Sequence, residues 1–483
     1  MPKVRQYAVI AIISLLGCVI TAAATVSVYG SKQTIPAGVT LSGWSIGGMT
    51  FTEWERQLGL QTGRVNERVV NLQLPAGAPA HASWTLQQLG LSSNAGQLQH
   101  TLDALRIGSL WDRAKARWAM RNQALTFETA LDAAALKQTV RQIWAAWDDK
   151  QPVNAQRVVG EDDTIGYIPE HNVERIDYDK LYELVKQTIP PFHAAEPTMG
   201  PATVRVPLTT AKPAVTMESL KAQRIDRKLT EFTTYAPPQN SAGRIHNVRS
   251  TAASIQDVVL KPGEIFDYSK FIELTETKYG FQEAPVIVNG KLVPGIGGGI
   301  CQVSSTLYNA VLLSGLKIVE RRNHSLPISY VPLGQDATFA SGFINFRFQN
   351  TTGAYLLIRS ATTDNQVTIK LFGNAPANVT YEVESRTLET LKPPVKYVHN
   401  PQLKVGKTEL LSNGKPGYVV ETRRVKKVDG LVTASELISK DTYSAQPTLI
   451  AVNNGKEGEV TPPGENTTPY VEDGVKGPVY RTP

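Results

Sequence analysis

GIGGGICQVSSTLYNAVLLS, residues 295–314, is the stretch from which the fold is read outward. Glycines at 295, 297, 298 and 299 let the backbone take positive φ and let another backbone or a ligand approach closely. From Gln302 to Ser314 the pattern turns helical. Val303, Leu307, Ala310, Val311 and Ser314 fall on one face, and Gly315 is a natural stop. A helix expected over about 247–257 and a turn at Pro262-Gly263 precede it. Strands follow it to about Phe372, so the region reads as α+β.

Cys301 falls at the amino end of the predicted helix. Free backbone N–H groups and the positive end of the dipole favour a thiolate there, and the same N–H groups can hold an oxyanion. Gly297, Gly298, Gly299 and Gln302 are the candidate binding positions around it. The helix spans about 20 Å. The following LKIVERRN, if extended, returns about 26 Å. An antiparallel return brings His324 level with Cys301, the layout of a cysteine–histidine nucleophile pair. Asp336 is the first candidate for the group orienting the histidine, with Asn323 and Asn345 as alternatives and His246 as a second candidate base. Structural readings compete throughout. The glycines suit a tight turn, Cys301 a small buried hydrophobe, and His324, beside Arg321 and Arg322, a solvated or anion-binding residue. No Gly-Lys-Ser/Thr follows the glycines, so this is not a phosphate loop.

The 483 residues are 41% hydrophobic and 19% charged, which excludes a polytopic membrane protein and a mostly disordered one. The net charge of +7 is modest and scattered. Nucleic acid is therefore not the expected partner; an anionic polymer or membrane surface is. Cys18 and Cys301 are the only cysteines, which excludes a disulfide framework and a zinc ribbon. The histidines are too scattered to propose a metal site, and no cofactor is implied.

Residues 8–29, AVIAIISLLGCVITAAATVSVY, carry no charge, and about 20 apolar residues suffice to cross a bilayer. Lys3 and Arg5 precede them, so residues 1–7 are expected in the cytoplasm and the body outside. A retained signal anchor fits best; a signal peptide cleaved near Ala22-Ala23-Ala24 and a lipoprotein built on Cys18 are alternatives. Residues 31–215 read as one α+β region with a weak internal repeat, a capping box at Thr50–Glu53 opening a helix through Leu60, and a long helical stretch over about 108–147. The tryptophans of that stretch, Trp111, Trp118, Trp144 and Trp147, read as core or interface. A linker leads to a second region over 225–372. Residues 380–453 alternate polar and apolar with hairpin signals at Lys415-Pro416-Gly417 and Asp429-Gly430, as expected of an all-β module. Residues 454–483, rich in Gly, Pro and charge, read as a disordered tail.

Residues 230–360 closely resemble the VanW family, through LKPGEIFDYSKF, EAPVIVNGKLVPGIGGGICQVSSTLYNA, RRNHSLPISYVPLGQDATF and FINFRFQN. Residues 380–452 resemble the G5 domain, with Gly406, Gly414, Gly417 and Gly430 at its glycine positions and the last one replaced near Asn453. IPAGVTLSGWSIGGMT and the repeated extended–helix order resemble a peptidoglycan-binding domain over about 35–215. These resemblances imply an α+β multidomain envelope protein with one membrane-crossing helix. Its partners would be peptidoglycan or an N-acetylglucosamine-containing wall polymer, with a role in wall maintenance or glycopeptide response. The alternatives are a cysteine-dependent amidase, peptidase or transpeptidase using Cys301, His324 and Asp336, and a non-catalytic adhesive spacer.

Overall fold

The computed structural model describes residues 2–75, 80–192, 200–236, 240–288, 291–453 and 471–477. The chain forms two compact units: Met1–Asn154 with Glu170–Ala214, and Ala155–Pro169 with Val215–Pro483.

In the first unit, Pro2–Ser31 is one helix, of which Arg5–Ser31 is long and apolar enough to cross a membrane. A signal sequence meets the same criteria. Gly30 lets its last turn touch the Leu110–Met120 helix, where a Cβ would lie 2.3 Å from the Leu110 carbonyl oxygen. The Thr50 hydroxyl caps the Phe51–Asn66 helix at the Glu53 N–H. Glu53 turns to Arg56 and Gln57 rather than closing the reciprocal box, and the helix runs past the expected Leu60. The long helical stretch expected over 108–147 is two helices, Leu110–Met120 and Ala133–Asp148. Asn122, at φ 57°, ends the first, and the Asp132 carboxylate caps the second at Ala134 and Ala135. Trp144 lies in the core as expected, but Trp111 and Trp118 are 65% and 69% exposed. Trp54, Trp144 and Val140 anchor the core with the sheet formed by Ala202–Arg205, Val69–Gln73 and His81–Thr85.

Residues 155–169, expected within the first region, belong to the second unit. Their hairpin, Gln156–Val159 with Ile165–Ile168, is held there by Asp163, which pairs with Lys228 at 2.5 Å and Lys370 at 2.7 Å. The central sheet runs Arg227–Tyr235, Gln366–Gly373, Leu356–Thr362, Val258–Leu260, all antiparallel. The Ala242–Ile255 and Ile300–Leu313 helices pack on it. Every residue from Ile300 to Leu312 is buried, not one face only. Several of its polar members find partners inside: Ser304 donates to the Ala337 carbonyl, Thr306 to the Gln302 carbonyl and Asn309 to the Ser305 and Gln335 carbonyls, while Tyr308 Oη and Asn309 Oδ1 have none.

The 380–453 region forms two three-stranded sheets. The longer pairs Val379–Leu391, Gly417–Val428 and Leu431–Tyr443. Asp429 and Gly430, at φ 53° and 80°, make its tight hairpin as expected. Lys415-Pro416-Gly417 makes no hairpin: Thr408–Ser412 and Gly417–Val428 lie in different sheets, and the turn carries the chain from one to the other. Val383 and Ile438 of the long sheet pack against the core of the 225–372 region, so the two are not separate bodies. Within the tail expected to be disordered, Val471–Glu472 forms a strand beside Glu283–Val288. Hydrogen bonds tying Asp473 and Val475 to the core hold the segment in place, and composition gives no sign of them. The rest of that expectation lies outside the described residues.

Candidate active site

The Ile300–Leu313 helix opens from a left-handed Gly299, φ 105°, preceded by Gly297 at φ 92°. Gly298 is required for space, since a Cβ would lie 2.3 Å from the Pro285 carbonyl oxygen. Asn247 clamps the loop, donating to the Gln282 and Gly298 carbonyls while its amide oxygen accepts from the Gln282 N–H. This delivers Cys301 to the first turn, fully buried. The Phe339 N–H donates to Sγ at 3.0 Å, and the Thr338 hydroxyl is 3.7 Å away.

The expected return strand is short, Lys317–Glu320, and residues 321–324 carry the chain inward without strand pairing. His324 is fully buried beside Cys301. Its Nδ1 lies 2.6 Å from Asp336 Oδ2, which also accepts from the His324 backbone N–H at 2.7 Å. An ionised carboxylate only accepts, so Nδ1 carries the proton and Nε2 is the basic nitrogen. Nε2 makes no hydrogen bond. The thiol and ring are close enough to interact, each shifting the other toward its charged form.

The charges follow from this packing. Burial pushes the Asp336 carboxyl up, but the hydrogen bond and charge of His324, with Arg321, outweigh it and hold it at about 2. Burial pushes His324 down, yet Asp336 and Cys301 together hold it well above the usual histidine value. Cys301 is raised, by burial and then by the Asp473 carboxylate, against the pull of His324.

Asp336 is therefore the orienting partner. Asn323 instead bonds the His324 and Thr442 carbonyls, Asn345 bonds Asp267, and His246 meets the Gly280 carbonyl. Gln302 is buried with its amide oxygen on Arg244, 3.0 Å away.

Sequence reading missed the outer shell. Arg321 bridges Asp336 to Asp441, touching both Asp441 oxygens at 2.7 Å. Tyr443 donates to Asp336 Oδ1 and accepts from the Gly334 N–H. Asp441 and Tyr443 come from the long sheet of the all-β region, more than 100 residues along the chain, and no local pattern marks them. Asp473 Oδ1 accepts from the Gly299 and Cys301 N–H groups at 3.1 and 2.8 Å. Among the described residues no cluster of His, Cys, Asp and Glu suits a metal ion.

Residues 243–372, which contain the glycine loop, Cys301, His324 and Asp336, match the family model described as VanW like protein. The chain carries a VanW-like region. Beside its VanW region, residues 382–461 match the G5 domain and residues 83–191 match the "Putative peptidoglycan binding domain" model. The chain is 37% identical over 204 residues to the uncharacterized protein YoaR of Bacillus subtilis, covering 42% of this chain and 66% of that one. It is 24% identical over 154 residues to the vancomycin B-type resistance protein VanW of Enterococcus faecalis, covering 31% and 56%. It thus spans less than two thirds of either relative. A solved IgA1 protease G5 domain aligns with a TM-score of 0.13 at 23% identity, over 16% of this chain and 88% of that one. The crystal structure of HP0197-G5 aligns with a TM-score of 0.11 at 27% identity, over 15% and 97%. VanW, G5 and peptidoglycan-binding-like regions in one chain support a role at the cell envelope.

Proposed function

We propose that the protein is anchored in the cytoplasmic membrane by its N-terminal helix, with its body outside. There its VanW region performs cysteine-dependent acyl transfer on wall peptides, as an amidase, peptidase or transpeptidase. The G5 and peptidoglycan-binding-like regions hold it to peptidoglycan or an N-acetylglucosamine-containing polymer. The observation that carries the reading is the unpartnered His324 Nε2, ring fixed by Asp336, beside a cysteine at a helix start. Cys301 Sγ attacks the scissile carbonyl and its proton passes to His324 Nε2. The tetrahedral oxyanion is stabilised by backbone N–H groups of the helix start. The C–N bond then breaks, His324 returns the proton to the leaving amine, and water or a second amine resolves the thioester.

The test is turnover. Purified extracellular portion and its Cys301→Ala variant are incubated with muropeptides, and products are compared by mass spectrometry. New products from the native protein alone support the reaction; equal patterns remove it. The complete burial of Cys301 favours a second reading, a non-catalytic wall-binding protein. Retained pull-down by purified wall with equal product patterns would favour that one.

A further inference from the structure

The chain's own residues 471–477 pass beside the start of the Cys301 helix, where Asp473 accepts from the Cys301 N–H. Val471 and Glu472 pair antiparallel with Val288 and Ile287. Further along, the Ile296 N–H donates to the Lys476 carbonyl, and the Val475 and Lys476 N–H groups donate to the Ile296 carbonyl. Gly474 bridges Ala340 on the other side. The segment thus lies as an added strand in a trough lined by backbone, a common way of holding an extended peptide.

Side chains fix its register. Glu472 accepts from the N–H and hydroxyl of Ser325, each at 3.0 Å. Asp473 takes φ 56°, a left-handed value that aspartate tolerates better than most residues. Its carboxylate meets the Gly299 and Cys301 N–H groups on one oxygen and Arg244 Nη1, at 3.4 Å, on the other. Arg244 is 7% exposed and its Nε has no partner. A buried guanidinium and two N–H groups at a helix start form a carboxylate cradle. Immediately beyond, a Cβ on Gly474 would lie 2.3 Å from Val286 Cγ1 and 3.0 Å from the Ile296 carbonyl oxygen, although its φ is not left-handed. The glycine is there for lack of space.

We propose that this trough is a binding groove for an extended acidic peptide in which the acidic residue is followed by one with little or no side chain, and that residues 471–477 occupy it as an intramolecular competitor. The peptide class deepens the proposed acyl-transfer reading and rests on it only for what happens to the ligand after binding. With Asp473 in place, the N–H groups that would hold an oxyanion are engaged.

The test uses the full chain carrying Cys18→Ser, so that Cys301 is the sole thiol, with a site-specific protease sequence inserted between residues 460 and 461. After folding, cutting and washing, with release of the segment followed by mass spectrometry, Cys301 alkylation by iodoacetamide should quicken at least tenfold. The synthetic peptide VEDGVKG should restore protection, whereas VEAGVKG and VEDVVKG should not. Asp473→Ala in the uncut chain should also quicken alkylation. Unchanged alkylation in both the cut chain and that variant, with only a lower melting temperature, would make the segment a structural strap and overturn the groove. Equal protection by VEDVVKG would overturn its selectivity for a small residue. None of these readouts needs turnover. Inert muropeptides with VEDGVKG protection would remove the reaction and keep the groove. Turnover without that protection would do the reverse.

Discussion

The phenol of Tyr443 donates a hydrogen bond of 2.5 Å to Asp336 Oδ1, so the last residue of a long G5-region strand holds the carboxylate that orients His324. Arg321 runs beside it from Asp336 to Asp441 on the same strand. A region that reads from sequence as a wall-binding appendage also forms the rear wall of the candidate site.

Tyr443→Phe removes that hydroxyl and leaves the ring. Asp336 loses one donor and the Gly334 N–H its acceptor. The expected cost is about 1–3 kcal/mol of stability, measured by denaturant unfolding. Muropeptide turnover should fall while wall pull-down stays unchanged. A fall in pull-down equal to that in turnover would mean the residue acts through the whole region.

Asp336→Asn keeps the shape and removes the charge facing His324 and Arg321, both buried. Breaking a buried pair from one side costs about 3–5 kcal/mol. The His324 ring should also lose its fixed tautomer, which proton-detected nitrogen shifts of the imidazole would report. Turnover should be lost even at temperatures where the variant remains folded.

Acid should weaken the fold through this same carboxylate. The Asp336 value of about 2 lies below its ordinary 3.8, so its contribution is complete above about pH 4 and disappears as pH falls toward 2. That difference corresponds to on the order of 2 kcal/mol. The raised His324 value expresses the same pairing from the other side: it stabilises below the ordinary histidine value and is lost as pH climbs through the folded value. Denaturant unfolding at pH 6 and pH 3 should show the acid loss in the native chain and a smaller one in Asp336→Asn.

Gly298→Ala places a methyl 2.3 Å from the Pro285 carbonyl oxygen, which is backbone and cannot rotate away. A cost of about 1–3 kcal/mol is expected from the overpacking. Gly263→Ala is the control: it shares a turn setting but meets nothing within 4 Å, and its cost should come only from its φ of 78°. Thermal unfolding of the two variants separates crowding from backbone strain.

Sequence alone determined the local features: the glycine loop into a cysteine-led helix, the Thr50 cap of the Phe51–Asn66 helix, the Asp429-Gly430 hairpin and an apolar N-terminal helix. Each depends on residues within a few positions of one another, where φ preference, capping and hydropathy act directly. It also placed His324 near Cys301, although the chain returns through the short Lys317–Glu320 strand and unpaired residues 321–324 rather than through one extended strand. Tertiary structure decided the rest. Asp336 reaches His324 only because residues 325–335 fold back under Tyr443, and the Cys301 N–H is taken by a segment whose composition reads as disordered. The contacts that hold these pieces, Tyr443 to Asp336 and Asp473 to Arg244, join residues 107 and 229 positions apart, and complementary buried polar and charged groups, rather than any local pattern, select them.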